Sequence, residues 1–217
     1  MMNMIKREMN NNRKTAALIL AAGEGSRMGG RAKCLITIDD QPLILRQIQM
    51  LRTLGIDRIT VVTGFHHEKI EAVIASDPAL HIIRNPAPEQ GQQSSVGLGL
   101  QNLPGQPDLI LIALADQPLI NANDLLELLH AYDARPVDTA ILYPIVDGQR
   151  GNPVLMSGAC VRDFLKNPSS VSCRQYIDQH PDSVYKYATK NDHFISDLDT
   201  PEDLATLKNK TGLDIAI

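Results

Sequence analysis

Short apolar blocks recur along the chain, each closed by glycine, proline or an Asp/Asn turn. Between them, apolar positions return at helical spacing. Residues 16–22 (AALILAA) form an unbroken apolar run ended by Gly23. Such a run reads as a strand covered on both faces, as in a parallel sheet. Residues 58–63, closed by Gly64, and residues 80–83, which lead to Asn85-Pro86, predict two more strands. Residues 108–115 are the most apolar stretch and predict a central strand ending in Asp116-Gln117-Pro118. Residues 139–144 and 184–188 predict later strands, with shorter extended pieces at 34–38 and 154–156.

Helices fill the intervals. Pro42 suits the first position of a helix, with Leu43, Ile44, Ile48, Leu51 and Leu54 inward and Gly55 as its stop. Residues 67–76 predict a helix with Ile70, Val73 and Ile74 inward, and another begins near Ser94 or Ser95. Asn121 or Asn123 caps a helix that runs to Tyr132. Helices over 157–165 and 172–179 follow, and Pro201 opens a closing helix with Glu202 and Asp203 in its first turn.

Strands alternating with helices, without internal repeats or a break in composition, predict a single-domain three-layer α/β/α sandwich over residues 15–210. Its sheet is mainly parallel and Rossmann-like. The polar, mixed-charge residues 1–14 read as a disordered tail without the apolar core of a signal peptide. In such a sheet, ligands sit at the carboxyl ends of the strands. The loops at that edge, 22–33, 63–67, 85–95 and 116–118, are polar or glycine-rich.

Composition narrows the partners. The 217 residues carry a net charge of -4, which gives no electrostatic case for nucleic acid. No apolar run reaches the length of about 18 residues needed to span a membrane. Cys34, Cys160 and Cys173 have neither CxxC nor zinc spacing, so reduced thiols in a cytoplasmic protein are expected. The six histidines form no HExxH arrangement and read as surface or structural residues.

Chemistry concentrates after the first strand. In Gly23-Glu24-Gly25-Ser26, glycines bring backbone N–H groups close to a ligand, and Arg27, Arg31 and Lys33 follow. That combination suits phosphates; the plain alternative is a βα turn whose basic residues are merely solvated. Arg31-Ala32 after Gly30 fails the Walker A pattern, and Met28 stands where a dinucleotide fingerprint needs its third glycine. Polyphosphates usually bring Mg²⁺, which takes only one or two carboxylates from a protein. Asp116, at the end of a buried strand, is the first candidate ligand, though it could instead cap a turn. Asp197 and Asp199 form a second acidic site, where Asp199 or Thr200 could equally be the cap of the closing helix.

These segments together resemble the MobA-like nucleotidyltransferases. The resemblance rests on Leu20-Ala21-Ala22-Gly23-x-Gly25-x-Arg27-Met28-Gly29 with Lys33 downstream, and on Gly91-Gln92-Gln93-Ser94-Ser95-x-x-x-Gly99-Leu100. Ala115-Asp116-Gln117-Pro118, Arg150-Gly151-Asn152-Pro153 and Asp197-Leu198-Asp199-Thr200-Pro201-Glu202-Asp203 complete it. It runs from about Thr15 to Leu207 and looks most like the molybdenum cofactor cytidylyltransferase branch. Two features depart from the pattern: Gln92 where relatives often carry Met, and no proline directly before Lys33.

The resemblance implies a sheet of the nucleotide-diphospho-sugar transferase type and transfer of CMP from CTP to the phosphate of molybdopterin, with release of pyrophosphate. It implies Arg27, Lys33 and Asp116 as catalytic residues and Mg²⁺ on Asp116 and Asp199. Nucleotide binding is implied for Leu20, Ala21, Ala22, Gly23, Gly25, Ser26, Arg27, Lys33, Thr63, Gly64, Asn85, Gly91, Ser94 and Ser95. The implied acceptor residues are Gln117, Arg150, Gly151, Asn152 and Pro153. Two further readings stand beside this one. The acceptor could be a sugar or polyol phosphate, or a non-catalytic protein could deliver cofactor to a molybdenum hydroxylase; a monomer is expected in each case.

Overall fold

The computed structural model describes residues 13–166 and 172–216. Strand β1 (Thr15–Ala21) is the axis of the main sheet. It pairs in parallel with β4 (Arg58–Thr63) on one side and β6 (Leu109–Leu114) on the other. Beyond β4 lies β5 (His81–Arg84), also parallel. Beyond β6 come β9 (Val154–Ser157), β7 (Ile141–Val146) and β10 (Val184–Thr189), and β8 (Gln149–Arg150) pairs with β7. Strand β9 runs antiparallel between β6 and β7, a direction that apolar patterning does not reveal. The short strands β2 (Thr37–Ile38), β3 (Gln41–Pro42) and β11 (Ile215–Ala216) form a separate small sheet.

Alternation along β1 builds the layers. Ala17, Ile19 and Ala21 pack with α1 (Leu43–Thr53) and α2 (His67–Ile74) through Ile44, Ile48, Leu51, Ile70 and Ile74. Leu18, Leu20 and Ala22 face α3 (Gln92–Gln101), α5 (Gly158–Phe164) and α6 (Cys173–Gln179). A strand covered on both faces can be apolar at every position. That is the physical content of AALILAA. Helix α4 (Ala122–Asp133) covers β7 and β9 through Leu128, Leu129 and Tyr132. The closing helix α7 (Pro201–Thr211) packs Leu204 and Leu207 on Met28, Ile36, Ile38 and Leu198.

Caps set the helix starts. Asn121, rather than Asn123, caps α4 in a reciprocal box with Asp124. Thr200, rather than Asp199, caps α7 in a box with Asp203, which leaves the Asp199 carboxylate free for other work. Pro42 lies in β3 and α1 starts one residue later, at Leu43. Helix α3 starts at Gln92, before the expected serines, because Gly91 with φ 87° turns the chain out of the Pro88–Gln90 turn. Strand β7 continues through Pro144 to Val146, since the β9 ladder stops at Leu142 and loses no bond to the proline.

Arg13 and Lys14 depart from the expected tail. The Lys14 amide donates to Asp108 Oδ2 at 2.8 Å, and Arg13 ion-pairs with Asp133 beside the Tyr132 ring. The expectation for residues 1–12 lies outside the described residues. All three cysteines are free thiols; burial pushes Cys34 up to about 12. Among the described residues, no helix is long and apolar enough to cross a membrane.

Helix α3 approaches the sheet closely through Gly99. A Cβ there would lie 2.4 Å from Leu18 Cδ1 and 2.9 Å from Val62 Cγ2. Gly99→Val is therefore expected to destabilise the protein by about 1–3 kcal/mol through overpacking, measured as a lower urea midpoint at unchanged slope. An unaltered midpoint would show that α3 can lift off the sheet freely.

Candidate active site

The carboxyl ends of β1, β4 and β6 form one edge, and the loops leaving them build the site. After β1 the backbone turns through Gly25, at φ +68°, where a Cβ would lie 2.0 Å from the Arg31 carbonyl oxygen. The Gly25 carbonyl then accepts from the Met28 and Gly30 amides at 2.8 and 2.9 Å. Met28 is buried among Leu198, Leu204 and Leu207, so the loop is plugged onto the chain around α7. Among the described residues, none accepts a hydrogen bond from the Gly23, Glu24 or Gly25 amides. Those donors suit an anion.

Beside this loop, the residues expected to act on charge meet. Lys33 Nζ lies 2.9 Å from Asp116 Oδ2 and 2.5 Å from Asp199 Oδ1, and Arg27 bonds Asp199 Oδ2 at 2.8 Å. Burial opposes the charge on Lys33, but Asp116 and Asp199 together outweigh it and hold its pKa above the ordinary lysine value. Lys33 is therefore a fixed cation. Asp197 stands next to them with its Oδ1 buried and without a hydrogen-bond partner among the described residues. Burial first, then the Asp116 carboxylate, pushes the Asp197 carboxyl up to about 6.

Two adjoining clefts open from this edge. One, of about 660 Å³, is lined by Ala22, Gly23, Phe65, Ser95, Asp116 and Asp197, among others. The other, of about 700 Å³, holds Arg150, Gly151, Asn152, Arg174 and several glutamines over an apolar floor that includes Ile112 and Ile177. They share Leu20, Gly91, Gln92 and Leu114, so a ligand in one can touch a ligand in the other. Arg150 is held for this position. It stacks on the Tyr143 ring at 4.3 Å and donates to Tyr143 Oη and Asp178 at 3.0 and 2.7 Å.

Not every expected residue faces a cleft. Ala21 packs under α1 and α2, because alternation turns it away from Leu20 and Ala22. Thr63 is fully buried, and its hydroxyl donates to Glu71 at 2.8 Å. Ser26 is exposed on the outer side of the loop and lines neither cleft. Gly64 lies behind the wall, where a Cβ would meet Ala22 and Pro88 within 2.9 Å. Asn85 and Ser94 brace the wall from within: Asn85 Nδ2 donates to Ser94 and Ser95 hydroxyls at 2.8 and 2.9 Å, and only Ser95 lines the nucleotide-sized cleft.

The acceptor set also divides. Gln117 is buried and donates to the Phe194 carbonyl at 3.1 Å, tying the end of β6 to the 192–195 turn instead of lining the second cleft. Pro153 faces a small internal void between α1 and β6. Arg150, Gly151 and Asn152 do line the second cleft, and the Asn152 amide bonds the same Phe194 carbonyl at 2.9 Å. Sequence reasoning missed Arg174 and Cys173, which α6 delivers to the second cleft, and Phe65, which enters the first. The arginine had no motif around it, whereas an apolar ring directly after Gly64 was a visible signal.

The MobA-like NTP transferase domain matches residues 17–184. The chain belongs to that family. The bifunctional protein GlmU of Rubrobacter xylanophilus is 35% identical over 130 residues, 58% of this chain but 26% of that protein. The chain thus spans about a quarter of the length of that curated relative. The molybdenum cofactor cytidylyltransferase of Escherichia coli (strain K12) is 27% identical over 89% of this chain and 95% of its own length. A nucleotidyl transferase structure from Methanothermobacter thermautotroptrophicus superposes with a TM-score of 0.73 at 19% identity, covering 91% of this chain and 97% of that one. It supports the fold, a mostly parallel sheet of the nucleotide-diphospho-sugar transferase type.

Proposed function

We propose that this protein transfers CMP from CTP to the phosphate of molybdopterin and releases pyrophosphate. The observation that carries the reading is the pair of adjoining clefts, the first lined by Asp116, to which Lys33 is ion-paired from outside the lining. The first cleft has the amide cradle, and the second offers two arginines for a phosphate and glutamine amides for a flat heterocycle with many polar edges. The near full-length likeness to the Escherichia coli cytidylyltransferase supports this acceptor over a sugar phosphate. The likeness to GlmU keeps the sugar or polyol phosphate as the second reading.

The chemistry follows from charge. An oxygen of the acceptor phosphate attacks the α-phosphorus of CTP. The bond from that phosphorus to the bridging oxygen breaks, and the electron pair leaves with pyrophosphate. An ionised phosphate is already a nucleophile, so positioning and electrostatic stabilisation supply most of the rate. Lys33 and Arg27 offset charge on the α-phosphate and the departing pyrophosphate. Both pair with Asp199, and phosphate oxygens would compete with that carboxylate for them.

The residues present fit Mg²⁺. Asp116 and Asp197, which line the same cleft, would supply the carboxylates this ion takes from a protein, Asp197 through its buried, unpartnered Oδ1; Asp199 is engaged by two cations and Asp116 by one. The expectation of Asp116 with Asp199 thus shifts toward Asp116 with Asp197. When bound, the ion would neutralise phosphate charge.

The test is pyrophosphate release with CTP, GTP, UTP and ATP, each with and without molybdopterin. Release that requires molybdopterin and prefers CTP is expected. Arg150→Ala is expected to raise the acceptor KM by about tenfold, as loss of one charge-assisted contact of ~1.5 kcal/mol would. Release only with a sugar phosphate moves the acceptor; no release with any pair, despite nucleotide binding, favours a carrier.

A further inference from the structure

We infer that Phe65 is the platform on which the nucleobase stacks, a positioning residue that binds the base without choosing among bases. The inference rests on the reading of the first cleft as a nucleotide site. Phe65 is 41% exposed and, with Val137, is one of the exposed large apolar side chains among the described residues. A ring left in water costs free energy unless something covers it. Val137 lies in the turn after α4, away from both clefts, whereas Phe65 lines the first cleft.

The ring is held there. The turn carrying it is closed by the His67 amide donating to the Gly64 carbonyl at 3.1 Å, and His67 Nδ1 lies 3.0 Å from the same oxygen. His66 Nε2 lies 2.8 Å from the Glu24 carbonyl oxygen, which fastens the turn to the glycine loop. A Cβ at Gly64 would lie within 2.9 Å of Ala22 and Pro88, so the turn runs tightly along the cleft wall. Phe65 stays at the wall, preorganised for a partner.

Charge decides which part of a nucleotide reaches it. Lys33 and Arg27 stand together at the Asp116–Asp199 end of the cleft. Beside Phe65, the Gly64 backbone approaches the apolar Ala22 and Pro88, and both line the same cleft. A triphosphate held between the Gly23–Gly25 amides and Lys33 leaves the apolar wall beside Phe65 for the base. Base–aromatic stacking tolerates any base, because each has a π-face.

The chain contains no tryptophan, so Phe65→Trp creates a single reporter on an exposed position that does not threaten folding. Its emission is expected to change saturably with CTP and with GTP, and to stay unchanged with inorganic tripolyphosphate, which carries the phosphates without a base. Phe65→Ala is expected to raise the KM for every NTP by about 5–150-fold, the range of one lost stacking contact, at nearly constant kcat. Phe65→Tyr should restore it. Unchanged emission in a Phe65→Trp protein that calorimetry shows to bind CTP would overturn the assignment while sparing the nucleotide site. A fall in kcat at constant KM in Phe65→Ala would overturn it too. Failure of the wild-type protein to bind any NTP would overturn the site and this role with it.

Discussion

Lys33→Ala is expected to lower turnover by on the order of 10²-fold, about 2.7 kcal/mol of barrier, in a pyrophosphate-release assay at saturating substrates. The size follows from position. Lys33 Nζ is the cation that reaches both Asp116 and Asp199, and its raised pKa keeps it charged across the neutral range. It is only 17% exposed, so water cannot replace it as a solvated charge would. Asp116→Ala should cost a similar factor, for the opposite reason: it removes the carboxylate that orients Lys33 and faces the phosphates. Lys33→Arg should recover part of the loss, since it restores charge without the same reach. Arg27→Ala should cost less, because its side chain is 68% exposed. Wild-type turnover in both alanine variants would place the chemistry elsewhere.

Gly25→Ala carries the second large effect. The residue sits at φ +68°, and the new methyl would meet the Arg31 carbonyl at 2.0 Å. The left-handed backbone alone costs an L-residue roughly 1–2 kcal/mol, and the collision forces the loop to open. Opening separates the Gly23–Gly25 amides from Lys33. We expect kcat/KM to fall by about 10²-fold, the penalty of misplacing groups by an ångström. The far-ultraviolet dichroism should stay unchanged, because the loop lies outside the sheet. Activity within a factor of two of wild type would mean that the loop geometry is not what holds the phosphates.

Much of the fold was legible. AALILAA demanded a strand covered on both faces, and β1 lies at the centre of the sheet between β4 and β6. Helices started at or near their caps because capping is a local interaction between residues three apart, as at Asn121 and Thr200. The antiparallel direction of β9 was not legible, since an apolar strand has the same alternation in either direction. Start positions slipped where a glycine rather than a cap governed, as at Gly91.

The site was legible in part. Arg27 and Lys33, six residues apart on one loop, meet Asp116 and Asp199 from distant segments. Ala21, Thr63, Gln117 and Pro153 belong to motifs but line neither cleft. A motif records which residues stand near a ligand and does not tell which side of the backbone each one faces.

The sequence by itself determined the alternation of strands and helices, the glycine turn after β1 and the family, because each rests on patterns within a few residues. Tertiary structure decided which carboxylate is satisfied and which is not. Asp116 and Asp199 reach Lys33 from 83 and 166 positions away, while the neighbouring Asp197 Oδ1 is buried without a partner among the described residues. It also decided that Phe65 stands in a cleft instead of a core, since burial depends on what the other loops cover. Those relations run between distant segments, and no local pattern of apolar and polar residues can encode them.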